Sequence, residues 1–156
     1  MSDQRPQISI DSLERMHEFG TKIAASLRGG DVLVLVGDLG AGKTTLTKSI
    51  AAGLGITDAV SSPTFVISRQ YRRDSSEARS SFGLIHVDAY RLASAYELED
   101  LDLDFEQNAT VIEWGRGKID PEWVPGRYFE IEIDVDPETE IRTLTFNEEA
   151  ANVFGH

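Results

Sequence analysis

Val32-Leu33-Val34-Leu35-Val36-Gly37-Asp38-Leu39-Gly40-Ala41-Gly42-Lys43-Thr44-Thr45 decides the reading of this chain. Val32 to Val36 reads as a buried strand, and Gly37 to Thr44 satisfies the phosphate-loop pattern G-x-x-x-x-G-K-[ST]. Beyond the loop, Thr45 to Leu54 carries Leu46, Ile50, Ala51 and Leu54 at helical spacing. Strand, glycine loop and helix in this order are the context the motif requires. Glycines let the backbone turn so that successive N–H groups converge on phosphate oxygens, and the helix adds the positive end of its dipole. Asp38, Leu39, Gly40, Ala41, Gly42 and Thr45 are then candidate phosphate-loop contacts. In this pattern Lys43 reaches the β- and γ-phosphates, and the Thr44 hydroxyl is a ligand for Mg²⁺. The expected ligand is a nucleoside triphosphate.

The bulk composition narrows the partners. At 156 residues the chain fits one domain spanning 1–156 with a substantial core. Cysteine is absent, which excludes a disulfide framework and a thiolate metal site. Met1 to Gln7 is polar, unlike a signal peptide, and no apolar run reaches the ~18–20 residues that span a bilayer, so a cytoplasmic protein without membrane association is expected. A formal net charge of −12 argues against a nucleic-acid surface of its own, because such surfaces need clustered basic residues. Arg69-Gln70-Tyr71-Arg72-Arg73 is the one short basic run, and it reads as a solvated strand end. Acidity suits docking onto a basic protein surface, or plain solubility.

Outside the central unit, Ile8 to Ile10 reads as a short edge strand. Asp11-Ser12-Leu13-Glu14 reads as a capped helix start, with Glu14 reaching back. Leu13, Met16, Ile23, Ala24 and Leu27 form the helix's apolar stripe, which Gly29-Gly30 ends. Gly53 and Gly55 close the phosphate-loop helix. Thr64 to Tyr71 and Ser81 to Val87 alternate like strands around a polar loop at 72–80. Ala95 to Glu106 is acidic, with a short helix expected from Tyr96 to Leu101 and a candidate partner-facing surface from Tyr96 to Glu106. Thr110 to Trp114 reads as a buried strand, and Tyr128 to Val135 with Glu140 to Phe146 as a hairpin across Asp136-Pro137-Glu138-Thr139. Few helices, many strands and one phosphate-loop crossover make an α/β domain with a mixed sheet.

Hydrolysis needs a carboxylate near the metal and a group that places water. Asp88 ends Leu84-Ile85-His86-Val87-Asp88, and Glu113 ends Val111-Ile112-Glu113. Strand C-termini in an open α/β sheet face the ligand crevice, so both carboxylates suit the metal-facing role. His86 alternates with Asp88 and shares its face, although a lone strand histidine is more often structural. Ser61-Ser62-Pro63-Thr64 is either an ordinary Ser-Pro turn or a loop that senses the γ-phosphate.

Gly37-Asp38-Leu39-Gly40-Ala41-Gly42-Lys43-Thr44-Thr45, Ser62-Pro63-Thr64-Phe65, His86-Val87-Asp88-Ala89-Tyr90-Arg91-Leu92 and Ile112-Glu113-Trp114 stand here in order. In that combination the chain resembles the bacterial TsaE family (also YjeE), the ATPase component of tRNA threonylcarbamoyladenosine biosynthesis. The resemblance runs from about the first helix to Trp114 and includes Phe19 to Ala24 and Glu97-Leu98-Glu99. It implies a P-loop NTPase-like three-layer fold with a mixed central sheet, ATP and Mg²⁺ as ligands, and ADP as product. It implies TsaB and TsaD as partners, which transfer threonylcarbamoyl to N6 of adenosine 37 in ANN-decoding tRNAs. This chain would meet tRNA only through that complex, its nucleotide cycle supporting multiple turnover. Carried over, Lys43 contacts phosphates, Thr44 and Glu113 hold Mg²⁺, and Asp88 supports hydrolysis. Ser62 and Thr64 belong to the switch loop, Trp114 lies beside the nucleotide, and Asp11 or Ser12, together with Arg142, are candidates for the nucleoside end. Ser61 stands where the family often has Lys or Thr, Asp102 where glycine is common, and the 72–80 loop is longer than usual.

Two other activities share such a loop. A GTPase needs an N-K-x-D guanine motif, which the chain lacks, so adenine is favoured. A small-molecule kinase needs an arginine-bearing lid, and Arg72, Arg73 and Arg79 could supply one. Weak ATPase activity alone, useful only with partners, is the expectation.

Overall fold

The computed structural model describes residues 5–38, 40–57, 60, 68–72, 82–89, 103–114 and 119–155. The expected helix at Tyr96–Leu101, the switch loop with Ser62 and Thr64, Leu39, and most of the 72–80 loop lie outside them.

The frame is a seven-stranded sheet: β1 (Gln7–Ile10), β2 (Val32–Val36), β3 (Ser68–Tyr71), β4 (Gly83–Asp88), β5 (Asn108–Glu113), β6 (Tyr128–Val135) and β7 (Arg142–Phe146), in the order β1-β7-β6-β2-β5-β4-β3. β6, β2, β5 and β4 run parallel, while β1, β7 and β3 pair antiparallel at the flanks, so the sheet is mixed as expected. β2 sits between two parallel partners and is buried on both faces, which is why its sequence is unbroken Val and Leu. Leu33 and Leu35 join one core, Val32 and Val34 the other.

Helices α1 (Leu13–Ser26), α2 (Lys43–Gly53) and α3 (Glu148–Phe154) all feed the first core. Met16, Phe19 and Ile23 meet Leu46 and Ile50 there, and Phe154 packs on Phe129 with ring centroids 4.7 Å apart. On the opposite face Val32, Val34, Ile85, Val87 and Ile112 are covered by Leu103, Phe105, Ile119 and Val124. No described helix is long and apolar enough to cross a membrane.

Several boundaries shift for local reasons. α2 begins at Lys43 rather than Thr45, because Gly42 in the left-handed region (φ 113°) already accepts the Leu46 N–H. Leu13, counted in the α1 stripe, is 70% exposed, since it occupies the first helical position ahead of the face that packs. Ser12 caps that helix by accepting from the Arg15 N–H. Glu14 sits one residue short of the position from which a reciprocal carboxylate would reach back. α1 stops at Ser26, ahead of Gly29-Gly30, with Leu27 extended. β7 starts at Arg142 rather than Glu140, because Asp136 accepts from Glu138 and Thr139 N–H groups and Glu140 turns left-handed (φ 61°), consuming two more residues in the turn. α3 was not expected. Asn147 caps it, and the same side chain accepts from Glu130 N–H and donates to the Tyr128 carbonyl, pinning the helix to β6.

Candidate functional site

The parallel strands end together, and that collects the chemistry. β2 runs into the glycine loop, while register pairs Leu35 with Glu113 and Asp88 with Glu113. Leu84, Val111 and Leu33 on the same strands belong to the core under α2, so alternation turns His86, Asp88 and Glu113 toward that helix's start.

The loop's shape depends on two glycines. A Cβ on Gly37 would lie 2.7 Å from the Ile133 carbonyl oxygen, so the loop presses on β6 at a distance only glycine allows. Gly42 holds φ 113° and faces the Arg142 side chain. Arg142 donates from Nε to the Ala41 carbonyl at 2.8 Å, tying β7 to the loop. Gly40 also has positive φ, and a side chain there would meet nothing within 4 Å. Asp38, Gly40 and Ala41 line a cleft of about 270 Å³ together with Ile133, Asp134, Val135 and Pro137.

Lys43 is the buried cation of the site, 5% exposed. Its ammonium donates to the Gly37 carbonyl at 2.6 Å and the Asp38 carbonyl at 2.9 Å. It also lies 4.0 Å from the Trp114 ring centre. Trp114 reaches that place because the chain leaving β5 turns left-handed there (φ 63°), an uncommon backbone for an aromatic residue, while its N–H stays bonded to Leu35. Burial lowers the Lys43 pKa below the usual lysine value, opposed by the charges of Glu113, Asp38 and Asp88.

Glu113 is the buried carboxylate, 3% exposed. One oxygen accepts from the Thr44 hydroxyl at 3.3 Å, and the other bonds to His86 Nε2. Thr44 and Glu113, both candidates for Mg²⁺, are thus brought together by a helix start and a strand end. Asp88 stands beside Glu113, half-buried, with the Ala89 N–H bonded to the Glu113 carbonyl. Thr45 follows on the same first turn of α2, its carbonyl taken by Ser49. Asp11 is exposed, 3.9 Å from Arg15 and directly after Ile10, whose register partner is Arg142. Arg142 contacts the loop backbone and Asp11 faces solvent near it. Arg72 is exposed at the end of β3, while Arg73 and Arg79 fall outside the described residues.

No group of three or more His, Asp or Glu side chains among the described residues could hold a metal by itself. One hydroxyl and one carboxylate are instead a hard-oxygen pair of the kind Mg²⁺ uses when phosphates and water complete its shell. Sequence reasoning left His86 as a structural histidine and missed that it grips Glu113. The signal was the β4–β5 alignment, which no single strand displays.

The family model described as "Threonylcarbamoyl adenosine biosynthesis protein TsaE" matches residues 10–144. The chain belongs to the TsaE family. A Streptomyces coelicolor tRNA threonylcarbamoyladenosine biosynthesis protein TsaE is 48% identical over 112 residues, covering 67% of this chain and 70% of that protein. A TsaE of the same description from Mycobacterium bovis is 35% identical over 147 residues, covering 89% and 84%. The solved structure of Bacillus subtilis YdiB superposes with a TM-score of 0.70 at 32% identity, covering 97% of this chain and 92% of that one. The TsaE family match spans both the phosphate loop and Arg142, so loop and tether fall within one family unit.

Proposed function

We propose that this chain is a Mg²⁺-dependent ATPase that works in the cytoplasm within tRNA threonylcarbamoyladenosine biosynthesis, supporting threonylcarbamoyl transfer to N6 of adenosine 37 by a TsaB–TsaD complex. The observation that carries the reading is the convergence of Lys43, Thr44 and Glu113 at the end of β2, in a chain of the TsaE family. The absent guanine motif supports ATP over GTP.

The residues divide the work by position. Backbone N–H groups at the start of α2 would receive an incoming phosphate, and Lys43 would add a positive charge. Its ammonium donates to the Gly37 and Asp38 carbonyls, so a phosphate that engages it would exchange two neutral acceptors for anionic ones. Thr44 and Glu113 would hold Mg²⁺, which when bound neutralises phosphate charge. Asp88, the register partner of Glu113 on β4, would be the carboxylate that orients water. Trp114 walls the site beside Lys43.

Lys43→Ala should lower ATP affinity by roughly 10–100-fold, the loss of a charge-assisted contact, and abolish turnover. Unchanged turnover would sink the phosphate-loop assignment. Asp88→Ala should retain nucleotide binding and lose hydrolysis. The pathway role is tested by reconstitution with TsaB, TsaD and tRNA. Equal formation of the modified nucleoside over many turnovers without this chain would remove it.

A further inference from the structure

His86 is fully buried, 0% exposed, yet it is neither part of the phosphate loop nor a neighbour of it in sequence. Its Nε2 bonds to one oxygen of Glu113, and its Nδ1 has no hydrogen-bond partner among the described residues. An ionised carboxylate only accepts, so the proton of the shared bond sits on Nε2. With Nδ1 unpartnered, a bare lone pair there is less costly than a buried N–H with nowhere to donate. With Glu113 ionised, as a metal ligand is, the ring is a donor through Nε2 aimed at one carboxylate oxygen.

That donor makes the two oxygens of Glu113 unequal. One is held from β4 by His86, and the other faces the Thr44 hydroxyl on α2. We propose that His86 is a positioning residue for Mg²⁺: its Nε2–H locks the Glu113 carboxylate so that its other oxygen is presented beside Thr44. This rests on the reading of Thr44 and Glu113 as the metal-holding pair. A partner of this kind fixes ligand orientation, and its loss typically costs on the order of 10–100-fold in metal affinity. The side chain of glutamine can put an amide N–H where Nε2–H lies, whereas leucine fills similar space with no donor.

The test is AMP-PNP affinity by calorimetry, with EDTA and then with Mg²⁺, for the unmodified protein, Glu113→Gln, His86→Gln and His86→Leu. His86→Leu should lose roughly 10-fold or more of the magnesium-dependent gain in affinity while affinity in EDTA stays within about 2-fold. His86→Gln should recover most of that gain. A gain lost in Glu113→Gln but kept in His86→Leu overturns the inference alone. Absence of any gain in the unmodified protein overturns the metal reading and the inference with it. Should His86→Leu not fold, ¹⁵N-histidine spectra of the unmodified protein decide, with His86 assigned by its loss in His86→Gln. The neutral ring with the proton on Nε2 is expected; a proton on Nδ1 overturns the proposal.

Discussion

Lys43 is where chemistry and stability pull against each other. A lysine whose pKa is lowered by burial binds fewer protons folded than unfolded at alkaline pH. Between the lowered value and the unfolded chain's 10.5, stability therefore rises with pH, and below that window the charged lysine is a standing cost. Melting temperatures of the nucleotide-free protein, minus those of Lys43→Met, should climb with pH as 10.5 is approached from below. A flat difference would mean that the ammonium is better solvated than its 5% exposure implies. Lys43, Thr44 and Glu113 were each legible as single residues because the loop motif and strand-end carboxylates announce themselves. Their mutual distances were not, since a 3.3 Å contact across 69 positions depends on register. The bond of Arg142 to the Ala41 carbonyl has no local sequence signature.

At the scale of elements, the two helices before and after β2 decide how firmly the site is held. α1 and α2 cross so closely that a Cβ on Gly20 would lie 2.3 Å from Ser49 Cβ, and one on Gly53 would lie 2.7 Å from Ala24 Cβ. Neither opposing atom is the end of a flexible side chain, so relief requires the helices to part. Gly20→Ala should cost about 1–3 kcal/mol by overpacking, measured by denaturant unfolding. It should also weaken ATP binding, because displacing α2 moves Lys43 and Thr44 with it. Normal affinity in a destabilised variant would show that the loop holds its own shape. β2 and β6 were readable to the residue since apolar runs and alternation persist over their full length. α3 escaped because seven residues with one buried Phe and one buried Ala show too little periodicity, although Asn147 is a good cap. Leu13 misled because periodicity counts residues and ignores where the helix makes contact.

Over the whole molecule, the end of the sheet away from the site is closed by charge. Arg127 donates to both oxygens of Asp31, at 3.2 and 2.7 Å, and to the Ser26 carbonyl at 2.6 Å, with its guanidinium 5.0 Å from the Phe129 ring. Asp31 is 2% exposed and also accepts from Arg28 and Arg127 backbone N–H groups. Asp31→Ala should destabilise by ~3–5 kcal/mol, the cost of breaking a buried pair, and leave ATP affinity unchanged wherever the protein remains folded. Loss of affinity without loss of fold would tie the two ends of the sheet together. The net charge of −12 adds a second global effect. Raising salt from low to physiological strength should lift the melting point by about 2–4 °C as self-repulsion is screened, ~1 kcal/mol at this size. Strand order belongs to this scale and was not readable at all. Nothing in Tyr128–Val135 says that it lies beside β2 rather than beside its sequence neighbour β5.

That order sets a schedule for the newborn chain. The glycine loop leaves the ribosome early, but its supports come late: β6 presses on Gly37 through Ile133, and β7 supplies the arginine that holds Ala41. A nascent polypeptide that has already emitted Lys43 and Glu113 still lacks the wall and the tether of the phosphate cradle. If the loop takes the proposed nucleotide, competence to capture it would arrive only once the β6–β7 hairpin has been made.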